Sequence, residues 1–177
     1  MNPWQPTLTS ARLVLRPITE ADLEPLYAVA SDPLLWEQHP DPLRWQRDRF
    51  AAFFRGAIEC GGGLVAIDPA SGAVVGSSRY YDWDPSARTV VVGYTFLARA
   101  HWGTGLNPEM KRLMLAHAWS HVDTVYFHVG PNNVRSQRAM VNVGARLEGT
   151  VEVTAVGITG PRLVFRMDAP RTERAVP

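Results

Sequence analysis

The chain has 177 residues, 46% hydrophobic and 20% charged, with a formal net charge of +1. That length supports one domain with a sizeable core, and the near-neutral balance argues against a large nucleic-acid footprint. No apolar run is long enough to span a membrane, Cys60 is the only cysteine, and the N-terminal Met1-Asn2-Pro3-Trp4-Gln5-Pro6 lacks the pattern of a secretory signal, so a cytoplasmic location is expected.

Residues 11–18 alternate as a strand should. Thr19-Glu20-Ala21-Asp22 supplies an N-cap with an acid three residues on, and Leu23, Leu26, Tyr27 and Ala30 then recur at helical spacing until Asp32-Pro33. Pro33, Pro40 and Pro42 make 33–42 a loop, which carries Trp36, Glu37, Gln38 and His39. A longer helix is predicted from Leu43 to Glu59, apolar along Phe50, Phe53, Phe54, Ala57 and Ile58 and stopped by Gly61-Gly62-Gly63. Strands are predicted at 64–67, 73–83 and 88–98, separated by turn chemistry at 68–72 and 84–87.

A glycine-bearing loop, 99–106, then opens a helix running to His121. Asn107 is its predicted N-cap, Pro108 its first helical residue and Glu109 an acid of its first turn. A strand at 124–129 and a helix from Asn132 or Asn133 to Gly144 follow. Strands at 147–156 and 162–167, around a 157–161 turn, complete the order β-α-α-β-β-β-α-β-α-β-β. The segment 169–177 reads as a loose tail. The expectation is a single domain over 1–177 with its core at about 8–168.

The junction 90–111 is the most informative stretch. A strand that delivers a loop of free N–H groups to a helix N-terminus is suited to phosphate. A glycine turn before a well-capped helix is the plainer account of Gly103-Thr104-Gly105. A Walker loop would need Gly-Lys-Ser/Thr, and a dinucleotide fingerprint would need glycine where Pro108 stands. Cys-x-x-Cys, His-Glu-x-x-His and Gly-x-Ser-x-Gly are all absent, so the sequence supports neither a metal site nor a serine-hydrolase elbow.

Segment 92–111 precedes a strand and then Pro131-Asn132-Asn133-Val134-Arg135-Ser136-Gln137-Arg138-Ala139-Met140 and Val143-Gly144-Ala145. With Leu8-Thr9-Ser10-Ala11-Arg12-Leu13-Val14-Leu15-Arg16-Pro17 at the start and Glu20-Ala21-Asp22-Leu23 after it, the chain resembles the GNAT superfamily of acyl-CoA-dependent N-acetyltransferases. It is most similar to the branch of ribosomal-protein N-terminal acetyltransferases, and the likeness covers about residues 8–168. The resemblance implies an α/β fold: a mixed sheet, mostly antiparallel, with a splayed parallel central pair and helices on both faces. It implies acetyl-CoA as cosubstrate, its pantetheine paired with backbone of Phe96, Leu97 and Ala98. Trp102, Gly103, Thr104, Gly105, Leu106 and Asn107 would face the pyrophosphate. Trp102 and Asn107 depart from the family's Gln/Arg-x-x-Gly-x-Gly/Ala, while Gly105 keeps it.

Asn133 and Ser136 match the family's Asn-x-x-Ser, which implies cofactor contact at both and a catalytic hydroxyl at Ser136 that protonates the leaving thiolate. The alternative is an N-cap and a first-turn residue only. The general base is unassigned: Val91 stands where relatives carry Glu. His128 has a suitable ordinary pKa, but its side of the strand is open. Glu109 reads as a dipole-matching residue and His101 as a solvated one. Glu37, His39, Tyr80, Tyr81 and Asp82 are candidates to line an acceptor pocket, and loops 36–39 and 157–161 would set specificity by analogy. Aromatics and a carboxylate there would suit a cationic acceptor. The expected partners are acetyl-CoA and a primary amine, a protein N-terminus or a small molecule, with no nucleic acid or membrane; oligomeric state is open, a homodimer included. A non-catalytic CoA-binding or sensing domain, or a cofactor-free interaction module of the same fold, are the rival readings.

Overall fold

The strands are β1 (Leu8–Thr9), β2 (Val14–Pro17), β3 (Gly63–Ile67), β4 (Val74–Asp84), β5 (Thr89–Leu97), β6 (Thr124–Val129), β7 (Arg146–Ala155) and β8 (Ile158–Asp168). They form one sheet in the order β1-β2-β3-β4-β5-β6-β8-β7. Every neighbouring pair is antiparallel except β5–β6. The computed structural model describes residues 2–155 and 157–170; the expected loose tail lies outside them from 171 onward.

The helices are α1 (Leu23–Ala30), α2 (Arg47–Glu59), α3 (Leu106–Ala118) and α4 (Val134–Asn142). They cover both faces of the sheet. On one face α3 and α4 pack through Met110, Met114 and Met140 onto Leu64, Val92 and Phe127. On the other, α1 and α2 pack through Leu26, Phe50, Phe53 and Phe54 onto Val65 and Phe96. The alternation of Leu64, Val65 and Ala66 between the two cores is the period-2 pleat of a strand buried on both sides. No helix among the described residues is long and apolar enough to cross a membrane.

Three expectations need correction. The α3 helix starts at Leu106, not Pro108, because Gly105 is the N-cap and holds φ +83°, a left-handed conformation that Asn107 does not adopt. The α2 helix starts at Arg47; residues 42–45 form turns under the proline loop. Segment 157–161 is mostly strand: β8 already runs from Ile158, and only Gly157, at φ +74°, turns the chain. Pro161 is tolerated there because β6 pairs with β8 only from Leu163 onward, so the missing N–H falls on an unpaired side. Thr19 and Asp22 form the expected capping box, around a 3-10 turn at Glu20–Asp22 that leads into α1. Gly144, at φ +91°, closes α4 as expected, with Ala145 N–H bonded to Met140 O and Gly144 N–H to Val141 O.

Candidate active site

The parallel pair is the origin of the site. β5 and β6 are in register only at Thr89–Val91 against Thr124–Tyr126. Beyond that point β6 keeps pairing with β8, while β5 follows β4, and a gap opens between them. Ala98 N–H donates to Val75 O at 2.8 Å, and Phe96 lies opposite Ser77. Alternation in an antiparallel ladder therefore turns the backbone of Phe96 and Ala98 toward β4, and that of Thr95 and Leu97 into the gap. This corrects the expectation for Phe96 and Ala98: Phe96 reaches the cleft only through its ring. The carbonyl of Leu97 is already taken by Trp102 Nε1 at 3.1 Å, which leaves its N–H.

At the mouth of the gap, a 3-10 turn at Arg99–His101 leads into the glycine loop. Trp102 N–H donates to Arg99 O at 3.0 Å and is not free, a second correction. The N–H groups of Gly103, Thr104, Gly105, Leu106 and Asn107 have no acceptor among the described residues. The left-handed φ values at Gly103 and Gly105 gather them at the N-terminus of the 13-residue α3 helix. Asn107 Oδ1 is buried, lacks a hydrogen-bond donor among the described residues and belongs to a side chain that lines the cleft. Arg135 stacks on the Trp102 ring at 3.6 Å and is held by Glu37. Glu109 is bound by Arg12 and Ser10, which removes it as a candidate base.

At the start of α4, Asn133 Oδ1 accepts Ser136 N–H at 3.1 Å, so Asn133 is the N-cap. Both residues also line the cleft; the Asn133 amide nitrogen and the Ser136 hydroxyl have no partner among the described residues. The capping and cleft-facing roles are therefore compatible.

Deeper in, the cleft widens to an empty volume of about 950 Å³, open solvent included. His39, Arg44, Tyr81, Tyr94, His128 and Arg162 line it. His128 thus faces the cleft, with Tyr81 Oη 3.4 Å from its Nδ1. Burial pushes its pKa below the ordinary 6.5, so the ring is neutral at pH 7. Tyr80 points into the opposite core, where its hydroxyl donates to Met114 O at 2.7 Å. Asp82 is exposed, and Glu37 is spent on Arg135. Asp41 is the cleft's lining carboxylate, and Arg49 and Arg44 both approach it, at 2.9 and 3.6 Å. The carboxylate expected to suit a cationic acceptor is thus already engaged by guanidiniums.

Sequence reasoning missed Arg44, Arg162 and Lys111. Only Lys111 left a signal, a charge on the apolar stripe of Met110, Met114, Leu115 and Ala118. It is 2% exposed and lines the cleft from the α3 face, its Nζ donating to Thr95 Oγ1 at 2.6 Å. No group of His, Cys, Asp or Glu that could hold a metal ion occurs among the described residues.

A splayed parallel pair with a cradle of amides unengaged among the described residues is geometry of a kind suited to an extended, phosphate-bearing ligand. Comparison with known proteins gives that class a family. Residues 12–146 match the Acetyltransferase (GNAT) domain, and the chain belongs to this acetyltransferase family. The fold is shared with a GCN5-related N-acetyltransferase from Brucella melitensis, at 18% identity and a TM-score of 0.79 over 93% of this chain and 79% of that one. A protein from Vibrio cholerae, provisionally named a ribosomal-protein-serine acetyltransferase, is similar over 96% and 100% of the two chains (16% identity, TM-score 0.77). Spermidine N-acetyltransferase from Vibrio cholerae, solved with CoA and spermine, matches over 90% and 96% (15% identity, TM-score 0.68). No curated protein matches the chain.

Proposed function

We propose that this protein transfers an acetyl group from acetyl-CoA to a primary amine by direct attack. The observation that carries the reading is the row of N–H groups from Gly103 to Asn107, which lack acceptors among the described residues and end at the splayed gap. A diphosphate fits that row, and Asn107 Oδ1, unpartnered among the described residues, fits an amide N–H of an arm laid along β5. Acetyl-CoA supplies the activated thioester.

The protein's own contributions follow from position. The gap holds the amine against the carbonyl, which converts a bimolecular encounter into an intramolecular one. The Leu97 N–H points where a carbonyl oxygen gaining charge would lie. Ser136 Oγ stands at the junction of the two parts of the cleft and donates to the departing thiolate. His128, neutral and on the acceptor side, takes the amine's proton directly or through a water.

Mixing the protein with acetyl-CoA and a panel of amines should release free thiol. CoA alone should raise the melting temperature, because it binds only the folded state. A shift without thiol release would favour a sensing domain; neither would favour an interaction module. Ser136→Ala should lower turnover with little change in CoA affinity, and unchanged turnover would remove Ser136 from the mechanism. His128→Gln should lower kcat by about 10²- to 10³-fold. In the unsubstituted enzyme, activity should fall as pH drops through the His128 pKa, on the acid side of 6.5, because protonation removes the accepting lone pair. A variant that keeps the same acid limb would show that another group accepts the proton.

A further inference from the structure

We propose that the amine acetylated by this protein carries an oxyanion, a carboxylate or a phosphate, gripped by His39 and Arg44 and faced by Arg162. The inference rests on the acetyl-transfer reading above and adds the chemical class of its acceptor.

Asp41 N–H donates to His39 Nδ1 at 2.9 Å, and Arg44 Nη1 lies 3.1 Å from His39 Nε2. A neutral imidazole has a single accepting nitrogen and an imidazolium has none. Two donors therefore converge on a ring that can satisfy at most one, whichever tautomer is present. The backbone N–H of Asp41 has no freedom to turn away, so the ring proton sits on Nε2 and meets the Arg44 guanidinium donor to donor. Burial holds the His39 pKa at about 3, which keeps the ring neutral. An oxygen anion in the cleft, beside both groups, would accept from Nε2–H and Nη1–H together.

Arg44 has the same deficit. It is 2% exposed, and its Nε is buried with no hydrogen-bond acceptor among the described residues. Asp41 Oδ2, at 3.6 Å, is beyond hydrogen-bond reach, and Asp41 Oδ1 is occupied by Arg49. A second buried arginine, Arg79, lies 4.2 Å over the Tyr94 ring and among the described residues donates only to Phe53 O. The guanidinium of Arg162 finds only the neighbouring Pro161 O among the described residues. The charge of Asp82, which is outside the lining, also acts on His128. The acceptor end therefore presents two guanidiniums, Arg44 and Arg162, beside one already shared carboxylate, Asp41. A polycationic amine meets repulsion there, whereas an oxyanion meets unsatisfied donors.

The full-length protein is assayed for thiol release with a series of α- and ω-amino acids, each against its own amide, and with O-phosphoethanolamine and spermidine. Calorimetry in the presence of CoA compares N-acetyl-β-alanine with its amide, which tests the anion site independently of turnover. The expected result is a KM at least about tenfold lower for an oxyanion-bearing amine than for its amide or spermidine, a difference of about 1.4 kcal/mol. The acetylated acid should also bind measurably tighter than its amide. Phosphoethanolamine against β-alanine separates phosphate from carboxylate. Arg44 is packed in the core, so Arg162→Gln is the variant that tests the site without disturbing folding; it should shrink the preference several-fold while leaving the CoA-induced melting shift intact. Equal or absent binding of both acetylated ligands, or a preference for amides or spermidine, overturns the inference and leaves acetyl transfer standing. Loss of both thiol release and the CoA shift overturns the transfer reading instead.

Discussion

Lys111→Met should raise the melting temperature at pH 7 by at least about 5 °C, since 1 kcal/mol shifts a domain of this size by about 2–4 °C. Lys111 is buried with no carboxylate partner among the described residues; its neighbours are Thr95 Oγ1 and the Phe127 ring, 5.6 Å from Nζ. Burial lowers its pKa from 10.5 to about 7. The sign follows from linkage. Below pH 7 both folded and unfolded chains hold the proton, and folding bears the full desolvation penalty. Between 7 and 10.5 the unfolded chain binds the proton that the folded one has released, so stability rises with pH. At 1.36 kcal/mol per pKa unit the full span is on the order of 4–5 kcal/mol. Methionine fills similar volume without the charge, at the loss of one hydrogen bond worth about 1 kcal/mol. Denaturant melts from pH 6 to 10 should climb for the parent and flatten for the variant; a less stable variant would show that other contacts offset the burial.

Gly103→Asp should weaken CoA binding by about tenfold or more, roughly 1.4 kcal/mol, while changing the melting temperature little. A Cβ at Gly103 meets no atom within 4 Å, so the substitution does not clash. Its φ of +74° is a conformation that Asp and Asn tolerate better than most residues. The new carboxylate would sit among the amides from Gly103 to Asn107 and compete with any diphosphate for them. Gly103→Asn is the neutral control and should bind CoA nearly as the parent does. The gap between the two variants should narrow at high ionic strength, because the exposed charge is screened. Equal affinity in parent and Gly103→Asp protein would mean that the loop does not hold the phosphates.

Much of the fold was legible because its signals are local. The α2 stripe of Phe50, Phe53, Phe54 and Ala57 is the buried face observed, and Gly144 ends α4 where a left-handed residue is needed. The glycine loop before α3 was legible for the same reason, since two glycines between a strand and a helix are a property of ten residues. Boundaries fared worse. Asn107, Pro108 and Glu109 suit a helix start by type, but Gly105 takes the capping conformation, and the helix begins at once.

What the chain determined by itself, then, is the order of elements, the two apolar faces they bury, and the glycine turn that gathers amides at a helix tip. Each depends on residues within a few positions of one another. The chemistry of the acceptor end was decided only by tertiary structure. A bulge in β5, where Tyr94 adopts φ +52°, shifts the strand's alternation. Tyr94 and Phe96 thereby join the α1–α2 face, while Thr95 turns to Lys111. The same packing brings Arg44 from the proline loop and Arg162 from β8 to one cavity with His128. Charges more than a hundred residues apart have no periodicity to betray them; they converge because a parallel pair must diverge once its partners pull it two ways.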